Sequence, residues 1–519
     1  MGYPKPPALI LAAMLTLVVG CTEGSATPTD IPPPVEITVT HIEPELRVEA
    51  TTTPPDGGPP AGPSPTATIA LPTFTPGPTA LPPPFAGESI MGIELIGPDF
   101  GALAGLASNA GAFWVRWNAV LWSAVEPNQG DRIWGALAGF EQQLLALSLQ
   151  GLVPIVIVRG TPGWAQAEPG YPCGPILPAA LPNFGQFMNE LVARYSEPPF
   201  NVKYWELGNE PDVDPRLVPP DQIFGCWGDE SDAFYGGALY AEMLKVVYPR
   251  IKGADPEAQV LTGGLLLNCD PTNPPETSPG SGVLVDCTPS KFLEGILRAG
   301  GGDFFDGVSF HAYDLFDPVS GYFGNPNWHT GYNLAGLNSV LVPKTRFIKS
   351  VLATYGHSDK YLINTETSLL CGSTGDEPDC NTGAHARMKA DYVVISYVAA
   401  AAEGLLGNIW FTLDRPWRRS ALTLPNGGPT DALTAYQFVA QQLEDSFFWG
   451  IVAELEGVTG YKFRRGGQEF WVVWSPDAVP RSIMLPEIPA AMHNSLGTEL
   501  LPAQTIEIGV SPVYLVFNP

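Results

Sequence analysis

The sequence predicts an α/β protein, a (β/α)8 barrel followed by a small C-terminal β-sandwich domain. Short apolar runs alternate eight times with segments of helical periodicity over about 350 residues, which is the pattern of a parallel barrel. No Gly-x-Gly-x-x-Gly follows the first run, which counts against a doubly wound sheet. Beyond residue 446 the apolar residues recur at a period of two, as they do in antiparallel strands.

Each predicted barrel strand is a short, mostly apolar run of the length expected for a buried strand. The eight strands are Ile90–Ile96, Phe113–Arg116, Val153–Val158, Val202–Leu207, Val260–Leu265, Gly307–His311, Tyr361–Thr365 and Asn408–Leu413. Between them, apolar residues recur every three or four positions, which predicts helices. These helices are Trp134–Gln150, Phe184–Tyr195, Phe234–Ile251, Lys291–Ala299, Leu337–Tyr355, Ala384–Glu403 and Asp431–Leu443.

The barrel is expected over residues 88–446 and the β-sandwich domain over residues 447–519. The predicted strands of the second domain are Val458–Phe463, Glu469–Trp474, Ser482–Leu485, Thr505–Ile508 and Val513–Phe517. A structural cap on the barrel and a carbohydrate-binding module both fit this pattern. The cap is favoured because the segment is short and directly follows the last barrel helix.

The first 21 residues have the features of an export signal. Lys5 precedes an apolar run that is too short to span a bilayer. The run ends in Val18-Val19-Gly20-Cys21, which resembles a bacterial lipobox with Cys21 as the acylated residue. Residues 22–87 are rich in proline and threonine and are predicted to be a disordered linker. The expected location is extracellular, as a cell-surface lipoprotein that meets the membrane only through its lipid.

The charge balance excludes some classes of partner. There are 53 acidic residues against 26 basic ones, so neither nucleic acid nor an anionic lipid surface is an expected ligand. The composition suits an extracellular enzyme that acts on a neutral substrate. We expect a monomer without a cofactor.

Six cysteines besides Cys21 predict disulfides, because their number is even and the chain is expected outside the cytosol. Fifteen pairings can be drawn from six cysteines. Short loops favour Cys269–Cys287 and Cys371–Cys380, which leaves Cys173–Cys226. None of the cysteines has the spacing of zinc ligands, and free buried thiols are the alternative.

Two glutamates follow predicted barrel strands and are the candidate catalytic pair. Glu210 comes after the fourth strand, in Asn209-Glu210-Pro211, and Glu366 ends the seventh strand. The carboxyl ends of all barrel strands open onto one face, so the two carboxylates are expected to meet there. Glycoside hydrolysis needs such a pair. Glu206 lies within the fourth strand and is expected to point inward or sideways.

With these motifs in place, the chain resembles a clan A glycoside hydrolase, closest to families 39 and 5, from about residue 88 to residue 445. The resemblance implies a retaining glycosidase that cleaves β-linked O-glycosyl bonds of an oligosaccharide or polysaccharide by double displacement. By the same resemblance Glu210 is the general acid/base and Glu366 is the nucleophile.

The resemblance also assigns five residues around the pair. Arg116 would support the nucleophile, and His311 and Tyr313 would contact the nucleophile and the sugar. Trp164 would frame the cleft in the loop after strand 3, and Trp410 would form the aromatic floor under the sugar.

The residue chemistry agrees with these assignments. Asn209 can hydrogen-bond a sugar hydroxyl beside the cleavage point. The positive charge of Arg116 would keep Glu366 ionised, whereas the charge of Glu366 would raise the pKa of Glu210.

Two other functional classes fit the sequence less well. The first is a carbohydrate-binding lipoprotein, either two-lobed or built on a catalytically inactive barrel. A two-lobed protein would lack the eight evenly spaced strands, and an inactive barrel would normally have lost one glutamate. The second is a metal-dependent hydrolase, which would need paired His and Asp ligands on successive strands that the sequence does not show.

Overall fold

The computed structural model describes residues 83–518, except Pro98 and the stretches 215–223, 276–284 and 332–337. The predicted export signal, the lipobox Cys21 and the predicted linker up to residue 82 lie outside the described residues. Within the described part, no helix has both the length and the apolar character needed to cross a membrane.

Eight parallel strands close into a barrel, which confirms the predicted fold. Each strand pairs with the next along the chain, the last pairs with the first, and Leu261 pairs with Gly307 to complete the ring. The barrel strands are β1 (Met91–Glu94), β2 (Trp114–Leu121), β3 (Val153–Arg159), β4 (Tyr204–Asn209), β5 (Gln259–Gly264), β6 (Gly307–Asp317), β9 (Tyr361–Cys371) and β10 (Asn408–Trp410). Two further strands, β7 (Tyr322–Asn325) and β8 (Thr330–Gly331), form an antiparallel extension of β6.

Helices follow the strands and cover the outside of the barrel. They are α1 (Phe100–Asn109), α2 (Trp122–Val125), α3 (Ala138–Leu149), α4 (Leu181–Tyr195), α5 (Gly237–Ala254), α6 (Phe292–Arg298), α7 (Leu341–Thr354), α8 (Gly383–Ala402) and α9 (Asp431–Leu443). Helix α1 was not predicted, because its small side chains give weak periodicity. Its start is set by Asp99, whose carboxylate accepts a hydrogen bond from the Ala102 amide at 3.2 Å.

Strands β6 and β9 extend well beyond their predicted ends at His311 and Thr365. They pair with each other along most of this length, as far as Phe316 opposite Cys371. Polar residues that face the barrel mouth interrupt the apolar runs of β6 and β9. The apolar pattern therefore predicts strands that are shorter than the observed ones.

The barrel interior has an apolar lower layer and a charged upper layer. Trp114 and Tyr204 fill the lower layer with their rings edge to face at 4.9 Å, among apolar side chains from most of the barrel strands. Above them lie the buried side chains of Arg116, Glu94 and Glu206. The charged layer supports the residues at the carboxyl ends of the strands.

The last residues of the predicted linker contact the bottom of the barrel. Phe85 packs edge-on against Phe113, with ring centroids 6.1 Å apart, and the Tyr204 hydroxyl donates to the Pro84 carbonyl. The packed part of the chain therefore begins before residue 88.

The C-terminal segment forms antiparallel sheets, which confirms the predicted β fold there. One sheet contains β11 (Phe447–Ile451), β12 (Thr459–Arg465), β13 (Gln468–Trp474), β15 (Ala491–Asn494), β16 (Glu499–Leu500) and β18 (Val513–Phe517), and the other pairs β14 (Arg481–Met484) with β17 (Thr505–Ile508). The sheets belong to the same compact unit as the barrel. Asp391 of α8 accepts hydrogen bonds from Ser495 and Ser511 at 2.6 and 2.7 Å, which ties the sheets to the barrel.

Three disulfides join Cys173 to Cys226, Cys269 to Cys287 and Cys371 to Cys380, which confirms the predicted pairing. All three staple segments at the carboxyl ends of the strands. The longest link spans 53 residues and ties the loop after β3 to the loop after β4.

Candidate active site

Glu210 lies at the sharp turn that ends β4. Its amide donates to the Gly264 carbonyl of β5 at 3.0 Å, and its φ of 52° lies in the left-handed region. A left-handed conformation is uncommon for a glutamate and is retained where surrounding structure enforces it. Here the Gly225 amide donates to the Asn209 carbonyl at 2.8 Å and pins the loop. The Glu210 side chain is held almost fully buried, with 2% exposed.

Glu366 reaches the same place through a bulge in β9. The pairing with β6 shifts by one residue, so that Phe310 faces Asn364 and His311 faces Glu366. The bulge lets two consecutive side chains turn toward the interior, since Thr365 donates to Glu206 at 2.9 Å while Glu366 enters the mouth. One carboxylate oxygen of Glu366, one of Glu210 and a ring nitrogen of His311 all lie within 4.8 Å of one another.

Arg116 is the central cation of the site. Its Nη1 donates to Glu366 Oε1 at 2.5 Å and to Glu94 at 2.8 Å, and its Nε donates to Glu206 at 2.6 Å. Its Nη2 donates to the Asn209 side chain at 2.5 Å. Arg116 therefore orients Glu366 and Asn209 together. Glu206 points inward, as predicted, while Glu94 was not recognised from the sequence because it lies in an apolar strand without a motif.

The Tyr313 hydroxyl donates to Glu366 Oε2, so both oxygens of this carboxylate accept hydrogen bonds. The pKa of Glu366 is raised by burial and lowered by the charge of Arg116 and the bond from Tyr313. The pKa of Glu210 is raised well above its usual range by burial and then by the charge of Glu366. Among the described residues, no arginine or lysine forms an ion pair with Glu210, whereas Arg116 pairs directly with Glu366, so a shared proton resides on Glu210 and the negative charge on Glu366.

His311 links the two carboxylates. Its Nδ1 lies 2.8 Å from Glu210 and 3.5 Å from Glu366. Burial, together with the charges of Arg116 and Lys344, lowers the pKa of His311 well below its usual range, so the ring is neutral. Arg116 can only donate to His311 Nε2, 3.5 Å away, which leaves the ring proton on Nδ1. His311 therefore donates to Glu210.

Two buried charged residues hold the site from behind and were not predicted as site residues. The Lys344 ammonium donates to the carbonyls of His311 and Leu266 at 2.8 and 2.6 Å, and burial lowers its pKa to about 8. Asp212 accepts from the amides of Leu266 and Leu267 at 2.9 and 2.8 Å, and burial raises its pKa to about 6. Lys344 lies in no motif, and the roles of both residues depend on contacts between segments that are distant in the sequence.

The prediction that Trp410 forms the floor of the site is wrong. Its side chain is fully buried on the outer face of β10, where it packs against Tyr392 of α8 and donates to the Ser420 carbonyl at 2.9 Å. Side chains alternate along a strand, and Ile409 occupies the inward position. Two other aromatic rings lie beside the site, since Phe411 and Trp417 both stand edge-to-face with Tyr313, at 6.1 and 5.9 Å.

Trp164 lies in the loop after β3, as predicted. Its ring packs edge-on against Trp122 at 5.3 Å, and its indole nitrogen donates to the Glu126 carbonyl at 3.1 Å. These contacts fix the wall of the mouth. A direct role of Trp164 in substrate binding stays a prediction.

Among the described residues, Glu210, His311 and Glu366 form the one cluster whose atoms could jointly approach a metal ion. In the present arrangement Arg116 supplies positive charge to this cluster, and both Glu366 oxygens already accept hydrogen bonds. The arrangement is that of an acid and a base held side by side.

No protein-family model and no curated protein matches the sequence. Solved structures do match the fold. A family 39 glycoside hydrolase from Bacteroides cellulosilyticus WH2 shares 19% identity over 83% of this chain and 81% of that chain, with a TM-score of 0.59. A glucosidase from Croceicoccus marinus shares 14% identity over 84% and 97%, with a TM-score of 0.52. The family 30 xylanase C catalytic domain from Talaromyces cellulolyticus shares 14% over 84% and 99%, with a TM-score of 0.51. These likenesses confirm the resemblance to clan A in its architecture.

Proposed function

We propose that this protein is a retaining glycoside hydrolase that cleaves β-linked glycosides by double displacement. The observation that carries the proposal is the close approach of Glu210 and Glu366, within 4.8 Å between carboxylate oxygens. Retaining enzymes hold their two carboxyl groups about 5–5.5 Å apart, whereas inverting enzymes leave about 6.5–9.5 Å for a water. The glycosidase names of structures with the same fold support the same reaction class.

In the first step the ionised Glu366 attacks the anomeric carbon while Glu210 gives its proton to the departing glycosidic oxygen. The bond from the anomeric carbon to that oxygen breaks, and a glycosyl ester forms on Glu366. Arg116 and Tyr313 hold the attacking carboxylate in its ionised form before the reaction and orient it. Burial keeps Glu210 protonated until the leaving group takes its proton.

In the second step Glu210, now a carboxylate, takes a proton from a water molecule. The water oxygen attacks the anomeric carbon, and the ester bond to Glu366 breaks. Two inversions restore the β configuration. Loss of the Glu366 charge in the ester lowers the pKa of Glu210, because that charge is one cause of its elevation. Asn209, fixed by Arg116, is placed to hydrogen-bond the sugar hydroxyl next to the reacting carbon.

We also propose that the chain is exported and anchored at the cell surface through lipid on Cys21. The support comes from the sequence, namely the short apolar run that ends in Val18-Val19-Gly20-Cys21. Three disulfides agree with an oxidising compartment.

A panel of aryl β-glycosides that differ in the sugar tests the reaction, with the anomeric protons followed by NMR from the first minutes. We expect the β-anomer to appear first and then to mutarotate. The α-anomer as first product would contradict the double displacement. Binding of oligosaccharides without turnover of any glycoside would instead favour a carbohydrate-binding protein on an inactive barrel.

A further inference from the structure

Arg159 is the last residue of β3 and faces the barrel interior. Val153 and Ile155 of the same strand belong to the apolar cluster inside the barrel, and a strand returns to the same face every second residue. Arg159 pairs with Leu121 of β2, at the carboxyl edge where the candidate site lies. Its guanidinium therefore stands at the mouth of the barrel.

The part of the chain that the structure describes offers this guanidinium no partner. Arg159 makes no side-chain hydrogen bond or ion pair with the described residues, and its Nε is buried without an acceptor. Arg116 on the neighbouring strand, by contrast, contacts Glu94, Glu206 and Glu366. A buried cation that lacks an anion costs folding free energy, so proteins normally pair it.

Arg159 is one of the residues that line a cavity at the carboxyl ends of β3 and β4. Gly160 and Gly208 also line this cavity. Their φ angles are 80° and 94°, respectively, and such positive values favour glycine. Trp227 and Asn209 also line it, and Asn209 connects it to the catalytic pair. Arg159 is the one charged side chain among the described residues of this wall.

The nearby carboxylates do not serve as ion-pair partners of Arg159. Glu94, Glu206 and Glu366 each bond to Arg116 and not to Arg159. Burial lowers the pKa of Arg159 to about 10, which leaves the side chain cationic at neutral pH. The formal net charge of the chain is −27, so an anionic ligand would be repelled unless a local cation received it.

We propose that Arg159 binds an anionic substituent, a carboxylate or a sulfate ester, on a sugar next to the scissile bond. The substrate would then be an acidic oligosaccharide rather than the neutral one expected from composition. This inference rests on the proposed glycosidase function of Glu210 and Glu366. The planar guanidinium matches the two oxygens of such a group, and Trp227 is an apolar residue of the same cavity wall.

The test compares three aryl β-linked oligosaccharides that share one backbone and carry a uronic acid, its methyl ester or a sulfate ester. We expect the wild-type protein to prefer an anionic substrate over the methyl ester by about tenfold or more in kcat/KM. Arg159→Gln should abolish that preference and leave hydrolysis of the methyl ester within about twofold of wild type. Arg159→Lys should keep part of it. Arg250→Gln, on the exposed side of α5, is the matched control and should behave as wild type.

A wild-type protein that does not distinguish acid from ester would overturn the inference, as would an equal loss on all substrates in Arg159→Gln. Preference for the uronic acid or for the sulfate ester identifies the source of the anion. Calorimetry of the uronic acid oligosaccharide on Glu366→Gln separates the two proposals. Binding that depends on Arg159, without any wild-type turnover, would support this inference and contradict the glycosidase proposal. Turnover of neutral glycosides that depends on both glutamates, with no preference for anionic substrates, would support the glycosidase proposal and contradict the role of Arg159.

Discussion

The two candidate catalytic glutamates, Glu210 and Glu366, lie at the same barrel mouth but differ in how their carboxylates are held. Glu366 accepts hydrogen bonds from a guanidinium and a phenol, whereas Glu210 is bonded by a neutral histidine. Charged donors favour an ionised carboxylate, and burial without them favours a protonated one. The difference sets the expected roles and the expected response of each residue to mutation.

Glu366→Ala should lower turnover of every substrate by at least about four orders of magnitude, because no glycosyl ester can form. Glu210→Ala should spare substrates with good leaving groups, since these need no proton. Azide should partly restore its activity by taking the place of the activated water. Kinetics with dinitrophenyl and alkyl glycosides, with and without azide, measure this difference. Equal losses without azide rescue would contradict the assignment.

The pH profile of kcat/KM should be bell-shaped, with an acid limb from Glu366 and an alkaline limb from Glu210. The Tyr313 hydroxyl lowers the pKa of Glu366 by hydrogen bonding. Tyr313→Phe removes that bond, so the pKa of Glu366 rises and the acid limb moves to higher pH. The loss in kcat/KM should be about 10- to 100-fold at the optimum. Tyr248→Phe, whose hydroxyl bonds to Asp306 at 3.0 Å on the outside of the barrel, should leave the profile in place.

At the level of secondary-structure elements, strand β5 approaches His311 so closely that only glycine fits. A Cβ on Gly264 would lie 2.1 Å from His311 Nε2 and 2.9 Å from Thr365 Oγ1. Gly264→Ala should displace His311 from Glu210 and lower kcat/KM by about tenfold or more. Gly253→Ala in α5 is the control, because a Cβ there meets nothing within 4 Å and alanine favours helix. Unchanged kinetics in Gly264→Ala would refute this role of His311.

The disulfide Cys173–Cys226 braces the loop that follows Glu210. In the chain-entropy description, its loop of 53 residues stabilises the fold by about 4 kcal/mol, against about 2.6 kcal/mol for Cys371–Cys380 with a separation of 9. Replacing Cys173 and Cys226 by serine should lower the Tm more than replacing Cys371 and Cys380. It should also reduce turnover at moderate temperature before the protein unfolds. Differential scanning calorimetry and initial rates measure both effects, and an equal effect of the two double variants would contradict the expectation.

At the level of the whole molecule, the proline- and threonine-rich segment is expected to contribute nothing to folding. Deleting residues 22–79 should leave the Tm and kcat/KM unchanged. Deleting residues 22–87 should lower the Tm, because it removes Phe85 from Phe113 and the Pro84 carbonyl from Tyr204. A fall in Tm in the shorter deletion would show that the segment docks on the folded part.

The sequence was sufficient to predict the barrel, the antiparallel sheets and the positions of Glu210 and Glu366 at the strand ends. These features follow from local pattern, since strand and helix periodicities differ and strand ends of a barrel share one face. The disulfide pairing followed from short loops along the chain. Arg116, His311 and Tyr313 were assigned to the candidate site through the resemblance to clan A glycoside hydrolases, and the structure places them beside the two glutamates.

Which side chains face the barrel mouth could not be predicted from the sequence, because it depends on tertiary packing. Tertiary packing turns Trp410 outward and brings Trp417 beside Tyr313. Which residues of β10 face the barrel interior depends on how the strand pairs with its neighbours. Tertiary packing also places Lys344 behind His311 and leaves Arg159 without a counter-ion among the described residues. Such features arise where segments far apart in sequence converge, and the free energy of burying a charge depends on partners that no local window contains.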